Sequence, residues 1–185
     1  MRKLFFAILV IVTASCGSQG GSNKFSVKGN IKGLSDQKIY LEQLYFSEKN
    51  PEVVDTAEVK NGEFTLSALA PDEGLYRIRL DKDQQAFILI NDRKDITLSG
   101  DMSNLSMKTL SYNSAATNLL KNFIVSTQDF GNTLQQKASV IQQYPAANKN
   151  DSTYNELMKD YMSKADSYKN FLLSYIDTSS NPMVA

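Results

Sequence analysis

Residues 53–68 read VVDTAEVKNGEFTLSA, and the dipeptide Asn61-Gly62 at their centre decides how this part of the chain folds. Asparagine and glycine best tolerate the left-handed backbone of a two-residue hairpin, and both flanks alternate apolar and polar side chains. Phe64, Leu66 and Ala68 therefore fall on one face of a strand and point toward a core. The same period of two runs through the neighbouring segments. KFSVKGNI places Phe25, Val27 and Ile31 on one face with Gly29 between them, and Gly33 closes the strand. KIYLEQLYF sets Ile39 and Leu41 against Tyr40, and after a turn at PDEG the run LYRIRL opposes Tyr76, Ile78 and Leu80 to Arg77 and Arg79. QAFILIN is apolar on both faces, which predicts a central strand, and DITLSG directs Ile96 and Leu98 inward. About seven strands, with frequent turns and no helical period, predict an all-β antiparallel sandwich or partly open barrel over residues 24–101.

From about residue 105 the period lengthens. Ala116, Leu120, Phe123, Thr127, Phe130, Leu134, Lys137 and Ile141 recur at alternating steps of 4 and 3, the mark of a helix with one packed stripe. Gly131 in its middle costs about 1 kcal/mol relative to alanine and predicts a kink or a break. After the interruption YPAANKNDS, the series Tyr154, Met158, Tyr161, Ala165, Tyr168, Leu172 and Tyr175 keeps the same alternation, with Ser152 as the expected cap. Residues 105–180 are thus expected to form a long α-helical hairpin, the α part of a β-then-α chain. Two such helices alone bury little, so the stripe needs the sheet, a third element or another copy. The tyrosines at 154, 161, 168 and 175 read first as packing with their hydroxyls at the edge, and second as a contact face for a ligand or partner.

The amino-terminal stretch MRKLFFAILVIVTASCGSQGGSNK carries two cations, a short apolar run from Leu4 to Val12 and small residues before Cys16. That run is shorter than the roughly 20 residues a membrane span needs, and it has the layout of an export signal. It resembles a bacterial lipoprotein signal, with Thr13 where the usual pattern has leucine. The resemblance implies a signal peptide over 1–15, lipid attachment at Cys16 and a flexible tether over 16–23. The alternatives are a non-lipidated export signal and an internal buried cysteine.

Cys16 is the single cysteine, and the chain has no histidine. A lipidated Cys16 leaves the mature chain without a thiol, and the missing histidine removes the usual general base, the commonest metal ligand and any Ser-His triad. Twenty basic and twenty acidic residues give no electrostatic case for nucleic acid. No glycine-rich loop opens a helix in the manner of a phosphate site, and no cofactor or metal is expected. Asp81, Asp83, Asp92 and Asp95 occupy two turns of adjacent strands, where they read either as solvated charges or as converging acid/base or calcium carboxylates. Lys82, Arg93 and Lys94 among them favour the solvated reading. Asp55-Thr56-Ala57 and Asp151-Ser152-Thr153 resemble short acidic-Ser/Thr sites that carry O-linked sugars in some bacteria.

Taken together, FSVKGNIKG (residues 25–33), KIYLEQL, VDTAEVKNGEF (residues 54–64), LYRIRL and FILINDRKDITLSGD resemble the N-terminal domain of unknown function of Bacteroidota-type thiol:disulfide interchange lipoproteins. In that family a helical segment and a thioredoxin-like domain follow, and the redox Cys-x-x-Cys lies in that later domain; residues 17–185 contain no such pair. NPMVA (residues 181–185) resembles the stretch that precedes the next helix there. The resemblance also implies the periplasmic face, because surface export in that group goes with acidic residues just after the lipidated cysteine, and GSQGGSNK has none. The expected function is therefore a non-catalytic, membrane-tethered envelope module for binding, positioning or dimerisation. Its expected partners are the membrane, through the lipid, and a second copy or an envelope protein, through the helices. The alternatives are the accessory part of a thiol:disulfide oxidoreductase and, far behind, a carboxylate enzyme.

Overall fold

Asn61 and Gly62 adopt φ of 53° and 81°, the left-handed pair of a tight hairpin turn. Lys60 and Glu63 exchange two backbone hydrogen bonds of 2.9 Å across it. Glycine is required at 62, since a Cβ there would stand 2.3 Å from the Ile31 carbonyl oxygen. These features come from a computed structural model, which describes residues 23–82, 85–145, 151–179 and 181.

The elements are β1 (Lys24–Lys32), β2 (Lys38–Leu44), β3 (Glu52–Glu58), β4 (Glu63–Leu69), β5 (Leu75–Leu80), β6 (Ala86–Ile90), β7 (Asp95–Asp101), β8 (Ser111–Tyr112), α1 (Ala115–Gln143) and α2 (Ser152–Thr178). They form two four-stranded sheets, in the orders β4-β1-β7-β8 and β3-β2-β5-β6, with no closed barrel, and then the two helices. The β-then-α arrangement read from the sequence is present. The strands flanking Asn61-Gly62 part after the turn, β3 into one sheet and β4 into the other, so the hairpin is a corner between sheets. Asp55 holds that corner further along, its carboxylate accepting the backbone N–H of Ser67 at 2.7 Å.

Alternation builds the core as expected. Phe25, Val27 and Ile31 of β1, Ile39 and Leu41 of β2, Leu66 of β4, Tyr76, Ile78 and Leu80 of β5, and Ile96 and Leu98 of β7 are all buried between the sheets. Gly29 lies under the ring of Phe64, its partner in the β1–β4 register. A bare glycine lets an aromatic ring close over the strand there.

Two particulars differ from the sequence reading. Among the described residues six strand pairs build the two sheets, and five are antiparallel, but β1 and β7 run parallel. The chain leaves β6 by residues 91–94 at the end where β1 starts, so β7 must follow the direction of β1. Second, β6 is an edge strand and not a central one. Its second apolar face is covered by a helix: Ile90 packs with Ala116, Leu119 and Leu120 of α1.

The registers assign the loops to two ends of the sandwich. At the proximal end lie Asn23 and the connections 45–51, 70–74 and 91–94; at the distal end lie 33–37, 59–62 and 102–110. Helix α1 starts at the proximal end, passes Leu110 and Lys108, and continues beyond. Its 29 residues span about 43 Å. It runs through Gly131 without a break, in an open position where a Cβ would meet nothing within 4 Å. Helix α2 returns to the proximal end, where Asn181 donates to Glu73 at 2.8 Å.

Candidate functional site

The sandwich and the helices meet at a polar joint. Ser114 caps α1, its hydroxyl accepting the Thr117 N–H at 2.9 Å and donating to the Thr117 hydroxyl at 2.6 Å. Thr117 donates in turn to the Ile90 carbonyl at 3.3 Å and accepts the Ile90 N–H at 3.0 Å. Both side chains are fully buried. The first turn of α1 thus satisfies both backbone groups of Ile90, the last residue of the β6 edge. One oxygen of Asp92 joins in by accepting the Ala116 N–H at 2.9 Å. Further along, Lys121 donates to the Leu110 carbonyl, and Lys108 pairs with Asp129 at 2.9 Å.

From Leu119 outward the contacts of α1 also run to α2. Phe130 stacks on Tyr168 with ring centres 5.1 Å apart, Phe123 meets Tyr175 at 4.6 Å, and Tyr144 meets Tyr154 at 5.6 Å. Lys137 pairs with Asp160. The seam is only half covered: no described residue of α2 is buried, and in α1 only Ala116 and Thr117 are. Met162, Leu173 and Ile176 stand more than half exposed on α2. At 100° per residue they fall within a stripe roughly 60° wide, beside the seam. Charge is also scarce on α1, where Lys121, Asp129 and Lys137 are the ionised residues in 29.

The outer face of the β2–β5 pair holds a buried carboxylate. Glu42 is 5% exposed and lies opposite Arg77 in the register. It accepts Nε–H bonds from Arg79 at 2.7 Å and from Arg77 at 2.8 Å. Burial works against its charge, but the bonds from Arg79 and then Arg77, with their charges, outweigh it and hold its pKa below the ordinary 4.5. The Arg79 guanidinium lies over the Tyr40 ring at 4.1 Å, and the Tyr40 hydroxyl donates to Asp81 at 3.1 Å. Both arginines spend their charge on the protein itself. Tyr112 carries a buried hydroxyl with no partner among the described residues, and burial pushes its pKa far up.

The turn aspartates do not converge. Asp81 follows β5 at the distal end, whereas Asp92 and Asp95 sit at the proximal end; the five residues of β6 separate them by about 17 Å. Asp95 accepts the Ser26 hydroxyl at 2.9 Å, so Asp81, Asp92 and Asp95 all have structural partners. Asp83 and Cys16 lie outside the described residues. Among those described, no group of three or more acidic, histidine or cysteine residues is placed to hold a metal, and no helix is long and apolar enough to cross a membrane. Thr56 is exposed on β3, and Ser152 and Thr153 are exposed on the first turn of α2. The cap of α2 is Asp151, not Ser152: it accepts the Tyr154 N–H at 2.8 Å and also the Tyr144 hydroxyl. Asp55, Glu42 and the Ser114–Thr117 pair carry the joins, and each reads as an ordinary polar residue until its strand neighbours are known.

The family described as Domain of unknown function (DUF4369) matches residues 25–126. No curated protein and no solved structure matches the chain. The matched stretch runs past the sandwich into α1, so it includes the polar joint at Ser114 and Thr117.

Proposed function

The chain belongs to the DUF4369 family, and on that premise we propose that it is a tethered, non-enzymatic module of the cell envelope whose helical hairpin is its contact surface. The observation that carries this reading is the half-covered seam between α1 and α2 together with the exposed stripe of Met162, Leu173 and Ile176. The family match ends at residue 126, so the outer half of α1 and all of α2 lie beyond the matched stretch. A second copy supplies the same stripe by symmetry, and two hairpins make a four-helix arrangement with a closed core. Cys16 carries the lipid, on the periplasmic side, and the absence of histidine and cysteine from residues 17–185 supports a role without catalysis for this stretch. A photo-crosslinker at Met162 in the full chain tests the contact surface. Two differently tagged copies should be captured together, and a product containing one copy and no other protein counts against the hairpin as a contact surface.

A second reading is supported by the likeness of residues 25–33 and 54–64 to thiol:disulfide interchange lipoproteins. In it, the module places a thioredoxin-like domain encoded beyond Ala185. A coding sequence that continues into Cys-x-x-Cys supports that reading, and a stop codon after Ala185 removes it.

A further inference from the structure

The exposed large hydrophobics of the sandwich gather at one end among the described residues. Among the described residues its exposed large hydrophobics are Phe46, Val53 and Leu69, at 76%, 48% and 78% exposure, and all three lie at the proximal end. Leu69 is the register partner of Lys24 at the start of β1, and Val53 opposite Glu42 belongs to the start of β3. A cleft of about 610 Å³ opens between Val53 and Leu69, where the edges of β3 and β4 diverge. Phe46 rides on the 45–51 connection, whose base is braced by the Tyr45 hydroxyl donating to Glu52 at 2.8 Å and by Lys49 over the Tyr45 ring at 3.8 Å. The distal end carries no exposed large hydrophobic among the described residues.

The chain comes into the sandwich at the same end. The Asn23 carbonyl accepts the Ala70 N–H at 2.6 Å, which pins the last residue before β1 beside Leu69. Seven residue steps separate Cys16 from Asn23; a flexible chain of that length spans about 15 Å, and a fully extended one about 25 Å. An anchor at Cys16 holds the proximal end this close to the bilayer surface and keeps it there at high effective concentration, so weak apolar contacts suffice.

We propose that the proximal end is a lipid-facing surface on which Phe46 and Leu69 enter the headgroup region of the bilayer, so that the hairpin tip points away from the membrane. The proposal rests on the reading of Cys16 as the lipid attachment point. The contact is apolar rather than electrostatic. Lys24, Arg93 and Lys94 stand among Asp72, Glu73 and Asp92 around Asn23, and Lys49 is paired with Glu52 at 2.8 Å, so among the described residues no unopposed basic patch addresses anionic lipid.

The chain contains no tryptophan, so single tryptophans report cleanly. The full lipidated chain carrying Phe46→Trp, Leu69→Trp or, at the exposed distal position, Lys32→Trp is reconstituted into phosphatidylcholine vesicles with bromines on the acyl chains. The expected result is quenched, blue-shifted emission from positions 46 and 69 and unquenched emission from position 32, unchanged when phosphatidylglycerol is added. Equal emission from all three positions in vesicle-bound protein overturns the proposal while leaving the tether intact. Quenching that requires phosphatidylglycerol overturns its apolar character. If Cys16 takes up no labelled lipid, the tether reading fails on its own evidence and the proposal falls with it.

Discussion

The Tyr175 hydroxyl donates to the Leu119 carbonyl at 2.8 Å, fastening the end of α2 to the start of α1 across 56 residues of sequence. Tyr175 also packs against Phe123 and Phe171, so one residue contributes both a ring and a hydrogen bond to the base of the hairpin. Tyr175→Phe should keep the packing and lower stability by about 1 kcal/mol. Tyr175→Ala should also remove the ring, release the last turns of α2 and speed their amide exchange. Urea unfolding and hydrogen exchange read both effects, and unaltered exchange in residues 170–178 of the alanine variant contradicts the role assigned to this contact.

Gly29 is fixed by its neighbour and not by its backbone. A Cβ at 29 would stand 2.0 Å from Phe64 Cζ, so Gly29→Ala forces the ring off the strand. The expected cost is about 1–3 kcal/mol, the usual range for overpacking. Adding Phe64→Leu to Gly29→Ala should recover part of it, because the smaller side chain leaves room for the methyl. A double variant whose loss equals the sum of the two single losses would falsify the coupling.

Ser114→Ala removes the α1 cap and strands the Thr117 N–H in a buried joint. A loss of about 1–2 kcal/mol is expected. The local effect is more telling than the total: Ile90 and Thr117 should lose amide protection while the β1–β4 pairing keeps its own. Uniform loss across the molecule would mean that the joint is not a separate unit.

Acid stability tests Glu42. Its folded pKa lies below 4.5, so the unfolded chain takes up its proton first as the pH falls. The stabilisation is therefore complete well above pH 4.5 and disappears as the pH drops through the folded value. At neutral pH, Glu42→Gln should cost about 1–2 kcal/mol, allowing for solvent screening at the partly exposed arginines. Below the folded pKa the wild type and the variant should converge. A constant gap from pH 7 to pH 3, measured by urea unfolding, contradicts the assignment.

Much of this architecture is legible in the sequence because it depends on local rules. Asn61-Gly62 demands a left-handed turn whatever surrounds it, and the alternation in KFSVKGNI and LYRIRL fixes which side chains are buried. What local rules leave out is partnership. The apolar second face of QAFILIN signals cover on both sides but not that the cover is a helix, so β6 reads as central when it is an edge. The parallel β1–β7 pair carries no mark in either strand, because it follows from the end at which the chain comes back. Asp81 and Asp92 are near in sequence but occupy opposite ends of the sandwich, a strand length apart. Glu42 looks like a solvent-facing charge until the register sets it between Arg77 and Arg79. The helical stripe is legible as a stripe, and what covers its open side is carried by no residue pattern in the chain.

Sedimentation equilibrium on residues 17–185 tests the hairpin as a contact surface most directly. The expected mass is that of two chains in the micromolar range, falling to one chain when Met162→Lys and Ile176→Lys charge the exposed stripe while the far-ultraviolet circular dichroism stays that of the wild type. A wild-type chain that remains a single copy throughout that range contradicts association through the hairpin.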